Sequence, residues 1–333
     1  MLRRILISFL LLPLSLAAHA QKERHFTFHY SFTVKNVSQG KLLRVWIPLA
    51  HSDASQDIRI TDQQSDLALK RTQETEYGNW MLYAEAAKAE KSEYHFSVDY
   101  DVVRREHVVL VHGKAANDSG TDDKTRLQLA RFLQPDKLVP ITGLPAQLAA
   151  DRTKGATTQL DKAHAMYDYV FHTMRYDKTG TGWGHGDTLW ACDAKRGNCT
   201  DFHSLFISMA RSQHIPARFE IGFPLPNDKH EAEIPGYHCW SDFYVDSIGW
   251  IPVDISEAWK HQELYDYYFG AHDPNRVQFT VGRDLHLSPA QAGPPLNYFV
   301  YPYVEVGGKE YPNVSIAFSF KDVDAPGTTA EKK

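Results

Sequence analysis

The chain has 333 residues, 43% of them hydrophobic and 23% charged, which gives room for two or three folded cores. The formal net charge of -5 is small for this length, and no block of five or more basic residues occurs. Nucleic acid is thereby excluded as the expected partner.

Residues 1–20 differ from the rest. Arg3 and Arg4 precede a nearly unbroken apolar run over 5–16, and Ala18-His19-Ala20 sets small residues where a signal peptidase reads. This predicts a secretory signal peptide cleaved after Ala20, and an exported protein, periplasmic or secreted. The run is short for a membrane span, and no cysteine follows it to take a lipid anchor. Loss of Arg3 and Arg4 would take the charge from -5 to -7. No other stretch of 18 apolar residues exists, so no integral membrane span is expected in the mature chain.

Residues 24–34, 41–48 and 93–110 alternate aromatic or β-branched with polar side chains, and Asn36, Ser38 and Gly40 supply turns. They predict an N-terminal β-sandwich over 21–112, with nothing catalytic in it. The polar, glycine-containing segment 113–124 reads as a linker. A short helix is expected near 126–133. The clearest helix is 159–176, where Leu160, Ala163, Tyr167, Val170, Phe171 and Met174 recur every three or four positions. Gly180, Gly182, Gly184 and Gly186 then predict a mobile or sharply bent loop. A second helix is expected over 200–213, with Phe202, Leu205, Phe206 and Met209 on one face, followed by strands over 218–223, 237–246 and 250–255. Further β patterns cover 276–284, 297–306 and 314–321, with Gly307-Gly308 as a hairpin signal. The expected fold class is α+β: a core over 125–262 with the N-terminal sandwich, a C-terminal β extension over 263–321 and a disordered tail over 322–333.

Cys199 points to chemistry. It follows the turn Gly197-Asn198 at the start of the second helix, where unpaired N–H groups and the helix dipole favour thiolate over thiol. His238 and Asp254 follow on consecutive strands, and cross-strand neighbours can present side chains on one face. Thiol, imidazole and carboxylate are the parts of an activated-thiol acyl-transfer site. Cys199 would attack, His238 would act as base, and Asp254 would hold the imidazole. The Cys199 backbone N–H is the natural first oxyanion donor; the Trp183 indole, the Tyr176 hydroxyl or the Asn198 side chain would be the second. Trp183 is also a candidate wall of the substrate cleft. Three cysteines leave one unpaired, and with Cys199 free, Cys192 and Cys239 form the candidate disulfide.

A different class has also to be weighed. Cys199, His203 and His238 could ligate zinc, with Cys199 and His203 one helical turn apart. No second tight ligand pair and no Asp-x-Asp-x-Asp-Gly loop occurs, so neither a metal nor any other cofactor is expected.

The block over 197–254 resembles the transglutaminase-like superfamily, whose core is papain-like. The matching pieces are Gly197-Asn198-Cys199-Thr200-Asp201-Phe202 ahead of an apolar helix, His214-Ile215-Pro216-Ala217-Arg218 after it, Tyr237-His238-Cys239-Trp240, and Gly249-Trp250-Ile251-Pro252-Val253-Asp254. The N-terminal sandwich resembles a domain that bacterial members often carry. The resemblance implies a catalytic triad of Cys199, His238 and Asp254 working through a thioester. It implies an exported enzyme that hydrolyses a peptide, isopeptide or amide bond in an envelope protein or peptide. The alternatives are a transglutaminase that crosslinks glutamine to lysine, and a catalytically inert binding module of the same fold. His203 departs from the pattern, since many members carry a small residue there; it either tunes the site or faces solvent.

Overall fold

A computed structural model describes residues 21–111, 114–115 and 129–323. The predicted signal segment, most of the predicted linker, the start of the helix expected near 126 and the tail beyond residue 323 lie outside the described residues.

Alternation sets the first strand, β1 (Glu23–Val34). Phe26, Phe28, Tyr30, Phe32 and Val34 are buried, and the residues between them turn to the other face. β2 (Leu43–Pro48), β3 (Gln56–Ser65), β4 (Lys70–Gln73), β5 (Trp80–Ala86) and β6 (Tyr94–Arg105) follow. β6 pairs antiparallel with β1, placing Phe32 opposite Phe96 with their rings stacked at 4.8 Å. β1, β6 and β3 belong to one sheet, and β2, β5 and β4 to a second.

Among the described residues, five α-helices and two short parallel strands build the middle of the chain. They are α1 (Leu144–Arg152), α2 (Gln159–Thr173), β7 (Arg175–Tyr176), α3 (Thr188–Ala194), β8 (Arg196–Gly197), α4 (Cys199–Ser212) and, further on, α5 (Ile255–Lys260). α2 is shorter than its periodicity suggests, because Met174 is extended and the next two residues pair with β8. α4 is the central element: every residue from Cys199 to Arg211 is buried, against α1, α2, α3 and a sheet. That sheet contains β9 (Ala217–Pro224), β11 (His238–Val245) and β12 (Gly249–Val253); β10 (Glu231–Glu233) lies between β9 and β11 in the chain.

The last third of the chain corrects the expected organisation. β13 (Arg276–Val281) is the fourth strand of the α4 sheet, which runs in the order β12-β11-β9-β13, so the core does not stop at residue 262. β14 (Tyr303–Val306) and β15 (Lys309–Glu310) form the hairpin that Gly307-Gly308 signals, and they extend the sandwich sheet of β2. β16 (Val314–Asp322) pairs with β1, setting Phe318 opposite Tyr30 and Phe320 opposite Phe28. The C-terminal β segments are therefore shared between the core sheet and both sandwich sheets instead of forming a separate extension. Asp322, expected in the tail, is in register with Phe26. Period-two patterning shows that a segment is a strand but not which strand it joins.

Candidate active site

The site is built at the start of α4. Gly197 adopts φ +151, and a Cβ there would lie 2.2 Å from the Asp201 carboxylate. Asn198 caps the helix: its side-chain oxygen accepts from the Thr200 N–H at 2.9 Å, while Asp201 reaches back to the Asn198 N–H at 2.9 Å. Asp201 also accepts from the backbone N–H groups of Gly184 (2.7 Å) and Gly186 (3.0 Å). The glycine-rich loop is thus bent and pinned to the helix that carries Cys199. Gly186 has φ +60, and a Cβ there would meet Ser204 Oγ at 2.3 Å. Sequence reasoning quoted Asp201 within the motif but gave it no role, although an Asn-x-x-Asp spacing at a helix start was available as a capping signal.

Cys199 occupies the first turn of α4, where the backbone N–H groups have no intrahelical acceptor. Cys199 is 2% exposed, and its thiol lies close enough to His238, at the start of β11, for the two groups to shift each other's titration. His238 Nε2 is 2.7 Å from Asp254 Oδ2, which leaves Nδ1 for the sulfur. Asp254 follows β12 and caps α5, its Oδ1 accepting from the Glu257 N–H at 3.0 Å and the Ser256 hydroxyl at 3.1 Å. The structure thus brings the three predicted residues together.

The electrostatics favour charge separation. Burial raises the Cys199 thiol, but hydrogen bonds from Cys239 and His238, with the His238 charge, bring it well below the ordinary thiol value. Burial lowers His238, yet the Asp254 carboxylate and the Cys199 sulfur push it up to about 10. Burial raises Asp254, and His238 and Arg276 outweigh this, holding the carboxyl well below its usual range. These directions describe a thiolate–imidazolium pair braced by a carboxylate.

Two further residues complete the array: Arg276, to which sequence reasoning gave no role, and His203, which it left as a tuning residue, a zinc ligand or a solvent-facing ring. Arg276, on β13, donates to Asp254 Oδ2 at 3.0 Å and to Asp273 Oδ2 at 3.1 Å while lying over the Trp240 ring. No local motif announces it, because strand pairing alone brings it there. His203 does not face solvent: it is fully buried, with one ring nitrogen 2.8 Å from the Cys199 carbonyl oxygen and the other accepting from the Ile255 N–H at 3.0 Å. Both its nitrogens are held by backbone groups, so the ring is not aimed as a zinc ligand.

The remaining predicted residues sort by what they already hold. The Trp183 indole N–H donates to the Gly180 carbonyl at 3.1 Å, within its own loop. The Asn198 amide donates to the Tyr237 hydroxyl at 3.0 Å. The Trp183 N–H is therefore engaged within its own loop, whereas the Asn198 amide, with two N–H groups, has one of them engaged. Tyr176 lies near enough for the Cys199 charge, after burial, to raise its phenol. The candidate disulfide is absent: Cys192, Cys199 and Cys239 are all free and buried. Cys239 lies 3.6 Å from Thr200 Oγ1 and interacts with Cys199, whereas Cys192, on α3, lies near Tyr169.

A cleft of about 580 Å³ opens beside His238. Its lining includes Pro224, Leu225, Ile234, Glu257, Lys260, Tyr268 and Arg276. Lys260 bonds Glu257 at 2.6 Å and sits over the Tyr176 ring at 4.3 Å, so a held cation stands in the cleft wall. A second depression, about 500 Å³ on the sandwich, is lined by His29, Asp66 and His95 and lies away from this array.

Residues 146–255 match the family model of the transglutaminase-like superfamily, a stretch that includes Cys199, His238 and Asp254. The fold is a transglutaminase-like, papain-like α+β fold. An uncharacterized protein of Haemophilus influenzae is 27% identical over 320 residues, covering 85% of each chain. The crystal structure of a candidate cysteine protease from Cytophaga hutchinsonii superposes with a TM-score of 0.60 at 16% identity, covering 91% of this chain and 92% of that one. Among the described residues, no helix is long and apolar enough to cross a membrane.

Proposed function

We propose that the protein is an exported thiol hydrolase that cleaves a peptide, isopeptide or amide bond through a thioester on Cys199. The observation that carries this reading is the buried line from Arg276 and Asp254 through His238 to the Cys199 thiol, with the His238–Asp254 contact at 2.7 Å. The leader-like segment 1–20 supports export.

In the first half-reaction the Cys199 thiolate adds to the substrate carbonyl carbon, and the carbonyl electron pair moves onto oxygen. The Cys199 backbone N–H would donate to that oxyanion. Collapse breaks the carbon–nitrogen bond, and the imidazolium of His238 gives its proton to the departing amine. In the second half, neutral His238 takes a proton from water as its oxygen attacks the thioester. The thiolate leaves, and the imidazolium–thiolate pair returns. Asp254 holds the ring throughout and balances its charge. Substrate would approach along the cleft beside His238, whose mixed apolar and polar lining suits a peptide chain.

The test is an acid-quenched incubation of wild-type protein with envelope extract, followed by mass spectrometry of the Cys199 peptide. An acyl adduct on Cys199 that is absent from Cys199→Ala supports the reading. Full turnover by Cys199→Ala sinks it. Release of free acid from the adduct, against transfer to an added primary amine, separates hydrolysis from crosslinking.

A further inference from the structure

We infer that His203 is a positioning residue: its buried imidazole is clamped as the Nδ1–H tautomer between the Cys199 carbonyl and the Ile255 amide, tying the start of α4 to the segment that carries Asp254. The inference rests on Cys199 being the nucleophile. The tautomer follows from what the partners can do. A backbone N–H only donates, so Nε2, 3.0 Å from the Ile255 nitrogen, is the unprotonated nitrogen. Nδ1 then carries the proton and donates it to the Cys199 carbonyl oxygen at 2.8 Å. A doubly protonated ring would set two N–H groups against each other at Ile255.

The clamp has a mechanical and an electrical consequence. Ile255 opens α5, so its N–H has no intrahelical acceptor, and His203 supplies one in a fully buried place. The first residues of α4 and α5 thereby hold a fixed separation, which is the separation between Cys199 and Asp254. Electrically, two imidazoles face one carboxylate: His238 Nε2 lies 2.7 Å from Asp254 Oδ2, and His203 Nε2 lies 3.7 Å from Oδ1. With His203 locked neutral, the Asp254 charge is left to His238 and Arg276. Burial, the largest influence on His203, also lowers its basicity against the neighbouring Asp254 and Cys199.

The experiment compares Cys199 alkylation by iodoacetamide against pH in the full chain, read by peptide mapping, for wild type, His203→Phe and His203→Gln. His203→Phe keeps the bulk and removes both bonds. It should lower the rate at pH 6 about tenfold and move the midpoint of the profile upward, since small displacements of reacting groups carry large rate penalties. His203→Gln, whose side-chain oxygen can accept from Ile255, should recover most of the loss. A wild-type profile in His203→Phe overturns the inference while leaving the nucleophile in place. Absence of low-pH alkylation in wild type overturns the nucleophile itself, and the inference with it. Should His203→Phe not fold, nitrogen-15 NMR of the wild-type ring decides: an Nδ1–H imidazole that does not titrate between pH 5 and 9 is expected, and an Nε2–H or protonated form refutes the clamp.

Discussion

Burial alone would keep the Cys199 sulfur protonated and the His238 ring neutral. Hydrogen bonds and opposite charges inside the same closed space reverse both preferences. Asp254 is what makes the reversal hold, because its two oxygens accept from His238, Arg276, Ser256 and Glu257. Asp254→Asn keeps the shape but supplies an N–H where an acceptor is needed. We expect binding to survive and turnover to fall by about 10²–10⁴, read as kcat against KM. The pH dependence of stability follows from the same shifts. Asp254 is depressed in the folded state, so its contribution is complete above the unfolded carboxylate value of about 3.9 and drains as pH falls through the lower folded value. His238 is raised to about 10, so its contribution is complete below about 6.5 and lost as pH rises through about 10. The difference in urea midpoint between wild type and Asp254→Asn should therefore be largest between about pH 4 and 6.5. A difference that grows steadily towards pH 10 contradicts this account.

A helix start ordinarily leaves its first N–H groups to water. Here α4 begins in the interior, and one carboxylate, Asp201, satisfies the N–H groups of Asn198, Gly184 and Gly186 together. Asp201→Ala would strand two buried donors and one half-buried donor and free the glycine loop from the helix. The expected cost is about 3 kcal/mol, measured as a lower urea midpoint, with slower Cys199 alkylation at neutral pH as the helix start loosens. Unchanged stability would show that the loop finds other partners. Gly186→Val should fail for a different reason: its side chain would enter the space of Ser204 and Arg283 from a left-handed backbone.

At the scale of the whole molecule, the site depends on sequence far from it. Arg276 reaches Asp254 only because β13 joins β9 across the sheet, and β9 joins β11, which carries His238. A fragment of residues 125–262 lacks β13 and leaves Asp254 buried without its guanidinium. It should not yield a cooperatively folding protein by circular dichroism, whereas a chain running through residue 323 should. Removing residues 314–323 has the same expected outcome at the other end, since Phe318 and Phe320 fill the sandwich core beside Tyr30 and Phe28. Soluble, two-state unfolding of that truncated chain would mean that the sandwich closes without β16.

The order of residues by itself determined the parts with a local cause. The alternation of β1 and β6, the apolar face of α4, the Gly307-Gly308 hairpin and the candidacy of Cys199, His238 and Asp254 are all written within a few residues of each position. α3 and α5 escaped because helices of seven and six residues carry too few turns to show a period. Only the tertiary structure decided which strands pair, that β13 belongs to the core and β16 to the sandwich, and that Arg276 and His203 converge on Asp254 and Cys199. Those outcomes depend on contacts between segments as much as 296 residues apart in the chain (Phe26 with Asp322), and pairing at that distance leaves no trace in the local pattern of either partner.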